Sequence, residues 1–195
     1  MNGDTENNRR KSPCPNEWYK LGPFTIFDIE TTGMSPVYSR IVEIAAIRID
    51  TDGVQARYQT LINPGCKIPM RVKAIHGISD EMVENSASFR EIAYEFMAFC
   101  DDSTLVAHNA RFDLSFLQES LARVGMKLWR GKTMDTIPIV KQAYRGLPSY
   151  SLQNLRNTFG LDSEAGPAHR AFADVEWTLE ILEISMKKLL ELQIF

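Results

Sequence analysis

The body of the chain opens with three β-forming runs in succession, an order that few folds accommodate. Apolar and β-branched residues are concentrated in residues 24–29, 41–49 and 56–62. The dipeptide Asp52-Gly53 separates the second run from the third and is a strong signal for a hairpin turn. The sequence therefore predicts an antiparallel meander of three strands at the start of the fold.

Helical patterns dominate the rest of the chain, and two short β-forming runs interrupt them. Ser88 and Glu91 have the spacing of a capping box and begin an amphipathic helix. The further predicted elements are a strand at 104–107, a helix at 112–124 that Gly125 ends, a short strand near Thr133, and helices at 139–144, 151–159 and 170–193. A mixed sheet with helices on its faces accommodates this order.

Length and composition describe one globular domain. The chain has 195 residues, of which 44% are hydrophobic and 24% are charged. The polar residues 1–20 predict a disordered N-terminal tail, and residues 21–195 are predicted to form the domain. Since no apolar run approaches the roughly 18 residues of a membrane span, we expect no membrane association.

Cysteine usage and charge narrow the possible function classes. Cys14, Cys66 and Cys100 are odd in number and form no CxxC pair, which disfavours a disulfide framework or a zinc site and predicts a cytoplasmic protein. The formal net charge of −3 does not favour nucleic acid as a partner. Bound divalent cations would offset that charge, so composition leaves a nucleic-acid substrate open.

The first of three acid-bearing segments ends the first predicted strand. Asp28 and Glu30 are two residues apart and therefore point to the same face of a strand. Two inward carboxylates are costly unless a cation joins them. The alternative is that the strand has already ended and both acids are solvated. Thr31, Thr32 and Gly33 favour a ligand, because hydroxyls and bare backbone suit close approach.

The second and third segments place an acid at the start of a predicted helix. His108 precedes Asp113 after the strand at 104–107, and His169 precedes Asp174 at the start of the last helix. Each acid alone is explained as a helix-start carboxylate that interacts favourably with the helix dipole. The shared spacing of the two pairs favours a common site.

Taken together, the three segments predict metal-assisted phosphoryl chemistry. Oxygen ligands without cysteine specify a hard cation, Mg²⁺ or Mn²⁺. Four carboxylates can hold two such ions about 3.5–4 Å apart for in-line displacement at phosphorus. A histidine with a pKa near 6.5 can accept the proton of the attacking water.

These segments resemble the three exonuclease motifs of the DEDDh family of 3′–5′ exonucleases. The resemblance rests on Asp28-Ile29-Glu30-Thr31-Thr32-Gly33, His108-Asn109-Ala110-Arg111-Phe112-Asp113 and His169-Arg170-Ala171-Phe172-Ala173-Asp174. Ile75-His76-Gly77-Ile78-Ser79 is similar to the HGI element of members related to the epsilon subunit of DNA polymerase III. The family also includes PolC-type exonuclease domains and ribonuclease T, and the similarity runs from about residue 24 to about residue 184.

The resemblance implies a role for each matching residue. Asp28, Glu30 and Asp174 would bind the tighter of two Mg²⁺ or Mn²⁺ ions, and Asp28 would bridge to the second ion. Asp113 would complete the metal cluster. His169 would be the general base, because histidine stands at that place of the third motif in this branch of the family.

The resemblance also implies contacts to the substrate. The backbone around Thr31, Thr32 and Gly33, together with His76, would hold the nucleotide at the 3′ end of a nucleic acid. Phe112 would pack against a base or a sugar, although a place in the core explains it equally well.

The implied fold is ribonuclease H-like, a mixed five-stranded sheet flanked by helices. The implied activity is removal of nucleoside 5′-monophosphates from single-stranded or frayed 3′ ends of DNA, in proofreading or repair. Two alternatives stay open: trimming of RNA 3′ ends, and a silent nucleic-acid-binding module of a polymerase assembly. Because no long extension follows the last predicted helix, we do not expect stable association with a polymerase.

Overall fold

The first three strands form the predicted meander. The structure is a computed structural model that describes residues 14–161 and 170–193. Strand β1 (Phe24–Thr31) pairs antiparallel with β2 (Ile41–Ile49), which pairs antiparallel with β3 (Gln55–Leu61). The turn after β2 contains Gly53 at φ 84°, a conformation that glycine adopts without strain, so the predicted hairpin turn is confirmed.

Two further strands extend the sheet on the other side of β1. Strands β4 (Thr104–Ala107) and β5 (Thr133–Asp135) run parallel to β1, and the strand order is β3-β2-β1-β4-β5. The helices are α1 (Met70–His76), α2 (Asp80–Val83), α3 (Phe89–Cys100), α4 (Arg111–Arg123), α5 (Thr136–Ala143), α6 (Leu152–Phe159) and α7 (Ala171–Glu191). The predicted mixed five-stranded sheet flanked by helices is confirmed.

The strand period of two sends side chains of β1 to opposite faces of the sheet. Phe27 and Ile29 belong to a core that also contains residues of α3 and α4. Phe24 and Ile26 belong to a second core that contains the apolar stripe of α7. Helix α7 therefore covers one face of the meander, and α3 and α4 cover the other face. Within the described residues, neither α7 nor another helix is long and apolar enough to cross a membrane.

The predicted tail at residues 1–20 is wrong at its C-terminal end. Residues Pro15–Leu21 form a 3₁₀ helix in which Trp18 is only 3% exposed, and the Trp18 ring stacks on Phe24 with 5.6 Å between centroids. Burial of so large an aromatic side chain stabilises the contact with the sheet and α7. Residues 1–13 lie outside the described part of the chain.

The prediction that helix α5 starts after Pro138 is also wrong. The helix begins at Thr136, and the Asp135 side chain caps it by accepting the Ile137 N–H at 2.9 Å. Proline is tolerated there because the first-turn N–H groups have no partner within the helix.

Candidate active site

The carboxyl ends of the parallel strands leave part of β1 open. Strand β4 is short and pairs with β1 only from Phe24 to Ile26, so β1 extends beyond it toward Thr31. Asp28 and Glu30 lie on this extension, on the same face as Ile26, the face that α7 covers. The sheet thus places two acids on the part of β1 that extends beyond β4, an edge where β4 does not pair with the strand.

Three of the predicted carboxylates converge at this edge. Asp28, Glu30 and Asp174 each offer a carboxylate oxygen, and these oxygens lie within 4.8 Å of one another. Asp174 is in the first turn of α7 and is only 6% exposed, whereas Asp28 and Glu30 are half-buried. Residues far apart in sequence therefore form one acidic cluster.

Asp113 lies next to this cluster without belonging to its tightest group. It is in the first turn of α4, is only 3% exposed, and its carboxylate accepts a hydrogen bond from the backbone N–H of Ile29. Its charge interacts with those of Asp28 and Asp174. The structure therefore brings Asp113 to the site from the opposite face of the sheet.

Burial and mutual repulsion hinder ionisation of these acids. Burial, followed by the charges of Asp113 and Asp174, raises the pKa of Asp28 well above its usual value. Burial and then the charge of Asp174 raise the pKa of Glu30 to about 9. Burial also raises the pKa of Asp113 to about 8, although backbone hydrogen bonds oppose the shift.

A divalent cation fits this arrangement. The converging groups are all carboxylates, the ligands that hard cations such as Mg²⁺ and Mn²⁺ prefer. A cation would favour the ionised form of each carboxylate and so offset the repulsion that raises their pKa values. The acids are thus arranged as a cation site would require.

Of the two histidines that precede an aspartate by five residues, the structure describes His108 only. His169, the predicted general base, lies outside the described residues. The Nε2 of His108 donates to the Tyr150 carbonyl at 2.9 Å, and its Nδ1 is 2.7 Å from the Thr136 hydroxyl. Because a carbonyl only accepts, Nε2 carries the proton in neutral His108, and Nδ1 accepts from Thr136. Burial lowers the pKa of His108, which favours this neutral, fixed ring.

The Thr31-Thr32-Gly33 segment first serves the fold. The Thr31 hydroxyl donates to the Gly33 carbonyl at 2.7 Å, and the Thr32 hydroxyl accepts the Arg40 N–H at 2.9 Å. A Cβ at Gly33 would lie 2.8 Å from the Ser39 hydroxyl oxygen, so a larger residue there would require the Ser39 side chain to move. Contact of these residues with a nucleotide stays a prediction.

The HGI element builds the end of α1. Gly77 adopts φ 73° and donates its N–H to the Lys73 carbonyl, which ends the helix. The buried His76 ring accepts the Ile78 N–H at Nδ1 over 3.0 Å, and Ile78 is fully buried. Contact of His76 with substrate also stays a prediction.

Phe112 lies between the core and an open groove. Its ring centroid is 4.9 Å from that of Phe116, a core residue. It also lines a groove of about 680 Å³ together with Met34, Lys141 and Tyr150. Both predicted roles of Phe112, packing in the core and contact with a ligand, are therefore compatible with its position.

Sequence reasoning missed Glu43, an acid directly beside the cluster. Glu43 on β2 is the antiparallel register partner of Glu30 and is 0% exposed. Burial raises its pKa, but hydrogen bonds from Arg170 and Gln59 outweigh burial, so the pKa of Glu43 lies below its usual value. A single acid inside the apolar run Ile41–Ile49 was the available signal.

A ribonuclease H-like sheet with carboxylates gathered at the carboxyl ends of its parallel strands defines a class of phosphodiester-cleaving nucleases. Comparison with known proteins identifies the family within that class. The sequence model of the exonuclease family matches residues 25–182. The chain is 41% identical over 160 residues to the DNA polymerase III subunit epsilon of Treponema pallidum, covering 81% of this chain and 74% of that protein. The chain therefore belongs to the exonuclease family and is a 3′–5′ exonuclease of the DEDDh type.

Other similar proteins match this chain over only part of their own length, or resemble it mainly in fold. The chain is 32% identical over 174 residues to the PolC-type DNA polymerase III of Pediococcus pentosaceus, but it spans only 12% of that protein. It superposes on exonuclease X in complex with 5′-overhanging duplex DNA with a TM-score of 0.65 and 27% identity, covering 84% and 90% of the two chains. Exonuclease I of E. coli in complex with a dT13 oligonucleotide has a TM-score of 0.76 at 21% identity, covering 88% of this chain and 42% of that chain, and shares the fold.

Proposed function

We propose that the protein removes nucleotides one at a time from single-stranded or frayed 3′ ends of DNA and releases nucleoside 5′-monophosphates. The convergence of Asp28, Glu30 and Asp174 carries this proposal, because clustered carboxylates with no bound cation would repel a phosphate. DNA is favoured because a polymerase subunit and DNA-bound exonucleases are among the similar proteins.

The acidic residues would hold two divalent cations, Mg²⁺ or Mn²⁺. Asp28, Glu30 and Asp174 would bind the tighter ion, Asp28 would bridge to the second, and Asp113 would complete the cluster. When bound, the cations would supply Lewis-acid stabilisation of charge on the scissile phosphate and an activated water.

The proton of the attacking water goes to His169 in this proposal. The ring of His108 is unsuited to that role, because both of its nitrogens are engaged by Thr136 and Tyr150. A histidine with an ordinary pKa near 6.5 is mostly neutral at neutral pH and can accept a proton, which suits a general base.

The terminal nucleotide would lie beside the acidic cluster. The backbone around Thr31, Thr32 and Gly33 would hold it together with His76, and Phe112 would contact its base or sugar from the adjoining groove. A site for one terminal nucleotide requires that nucleotide to be unpaired, which is why we propose single-stranded or frayed ends. We also propose a reducing, cytoplasmic location, which the free thiols of the three cysteines support.

Digestion of three 5′-labelled oligonucleotides in parallel tests the proposal. These are single-stranded DNA, duplex DNA with a mispaired 3′ end, and RNA of the same sequence. We expect a ladder that shortens from the 3′ side with both DNA substrates. Faster digestion of RNA would assign the protein to RNA trimming instead. Cleavage of a circular single strand at a comparable rate would contradict the need for a 3′ end.

A further inference from the structure

Glu43 is a buried carboxylate whose surroundings are built to hold it. It lies on β2, an interior strand of the sheet, between apolar neighbours, and is 0% exposed. An ionised carboxylate in such a place is costly unless hydrogen bonds and a counter-charge satisfy it. The hydrogen-bond donors that surround Glu43 therefore indicate its structural role.

Four hydrogen-bond donors converge on Glu43. Arg170 donates through Nε at 3.2 Å and Nη2 at 2.9 Å, one bond to each carboxylate oxygen. The backbone N–H of Ala171 donates at 3.2 Å, and the Gln59 amide donates at 3.0 Å. Paired guanidinium bonds of this kind fix direction as well as distance.

Two of these partners form the start of helix α7. Arg170 is its N-cap residue and makes no side-chain capping bond of its own, and Ala171 is its first residue. The first N–H groups of a helix have no partner within the helix, and a negative charge is favourable there. The carboxylate of Glu43 therefore caps α7 from the neighbouring sheet.

This cap connects two members of the acidic cluster. Glu43 is opposite Glu30 in the β1–β2 register, so their side chains lie on the same face. Asp174 follows in the first turn of α7, three residues after Ala171. A shift at the start of α7 would therefore change the separation between Asp174 and Glu30.

We propose that Glu43 and Arg170 form a clamp that positions Asp174 relative to Asp28 and Glu30, and thereby sets the affinity of the site for a divalent cation. Glu43 is a positioning residue, since it acts through Arg170 and Ala171. Groups that orient metal ligands typically contribute about 10–100-fold to metal affinity or activity. The effect on turnover rests on the proposed exonuclease activity, whereas the effect on cation affinity rests only on the proposed cation site.

The test uses Glu43→Gln and measures Mn²⁺ affinity by electron paramagnetic resonance of the free ion. The amide keeps the size of the side chain but presents N–H groups to donors on Arg170 or Ala171. We expect Mn²⁺ affinity and kcat on single-stranded DNA to fall by about 10–100-fold. KM should stay near the wild-type value, because the clamp does not touch substrate.

Arg48→Gln is the matched control. Arg48 lies on the same strand as Glu43, and at the opposite end of β2 it bonds to Asp50, Asp102 and the Asp101 carbonyl. We expect this variant to lower the melting temperature while Mn²⁺ affinity and kcat stay at wild-type values. The same pattern in Glu43→Gln would overturn the proposal, because Glu43 would then stabilise the fold without positioning Asp174.

A second variant, Arg170→Lys, decides the question if Glu43→Gln does not fold. Lysine keeps the charge but cannot donate two bonds in the fixed geometry of a guanidinium. Weaker Mn²⁺ binding by folded Arg170→Lys supports the clamp, and unchanged binding contradicts it. Failure of the proposed function would be distinct: the wild-type protein would bind Mn²⁺ and digest none of the three oligonucleotides.

Discussion

Asp28 lies near four other acids, and the repulsion among these five carboxylates is relieved when one of them loses its charge. We predict that Asp28→Asn folds and lowers kcat at least about 10²-fold. The substitution weakens the charge stabilisation that bound cations supply, and each loss of roughly 1.4 kcal/mol lowers the rate about tenfold. In the absence of metal, the variant should melt at a higher temperature than the wild type. Steady-state kinetics and thermal unfolding in EDTA measure both effects.

Asp50→Asn is the control for this substitution. Asp50 lies just after β2, at the other end of the sheet, and pairs with Arg48 at 2.9 Å. It should leave kcat unchanged and should not raise the melting temperature. Wild-type kcat in Asp28→Asn would remove Asp28 from the proposed cation site.

The two histidines with identical spacing give a second prediction at this scale. Replacing His169 with Ala should lower kcat by about 10²–10⁴-fold, the usual contribution of a positioned general base, with Mn²⁺ affinity nearly unchanged. Replacing His108 with Ala leaves the Tyr150 carbonyl and Thr136 hydroxyl without this partner, so it should cost about 1–3 kcal/mol of unfolding free energy. A folded His108 variant that is inactive, beside an active His169 variant, would reverse the assignment.

The acids of the site were predictable from sequence, whereas the residues that hold them were not. Asp28 and Glu30 are two residues apart on a strand, so they lie on one face. The free-energy cost of burying two carboxylates on that face indicated a cation. Glu43 carries no such spacing, and its bonds to Arg170 join residues 127 positions apart. Contacts between such distant residues depend on tertiary packing, which local patterns do not contain.

At the scale of elements, the 3₁₀ helix Pro15–Leu21 is part of the core that supports α7. We predict that Trp18→Ala lowers the free energy of unfolding by about 3–5 kcal/mol, the usual cost of removing a buried aromatic side chain. Since Trp18 stacks on Phe24, at the opposite end of β1 from Glu30, kcat of the folded variant should not change. Urea unfolding and steady-state kinetics measure the two quantities.

Leu21→Ala in the same 3₁₀ helix is the matched control. Leu21 is 41% exposed, so its truncation should change the unfolding free energy by less than about 0.5 kcal/mol. If Trp18→Ala were as harmless as Leu21→Ala, the segment would contribute nothing to the core. Residues 15–20 would then behave as the tail that the polar sequence predicted.

Elements with a repeated pattern were predictable, and short ones were not. The runs at 41–49 and 104–107 match β2 and β4 residue for residue, because most of their residues are apolar and buried. Helices α1 and α2 have seven and four residues, fewer than the roughly 11 residues over which a helical pattern can be recognised. Their ends depend on tertiary contacts, such as the Ile68 N–H bond to Asp80 at 2.9 Å.

At the scale of the whole molecule, the acidic site makes stability depend on pH and on metal together. The folded-state pKa values of Glu30 and Asp113 are about 9 and about 8, against ordinary values of 4.5 and 3.8. At a pH between the ordinary and the raised pKa values, Glu30 and Asp113 stay protonated in the folded protein, whereas they have lost their protons in the unfolded chain. These acids therefore stabilise the metal-free fold fully below about pH 4, and that contribution is lost progressively as the pH rises toward about 9.

We therefore predict that the melting temperature in EDTA falls as the pH rises from about 6 to about 9. Mg²⁺ or Mn²⁺ should reverse the fall, because cations bind the ionised carboxylates and compete with protons. At 100 times the dissociation constant, binding adds about 2.7 kcal/mol of stability. In Asp28→Asn the fall with pH should be shallower and the gain from metal smaller. The prediction is contradicted if the melting temperature in EDTA rises over this pH range, or if metal stabilises Asp28→Asn as much as the wild type. Either result would mean that ionisation of the buried acids and cation binding are not linked.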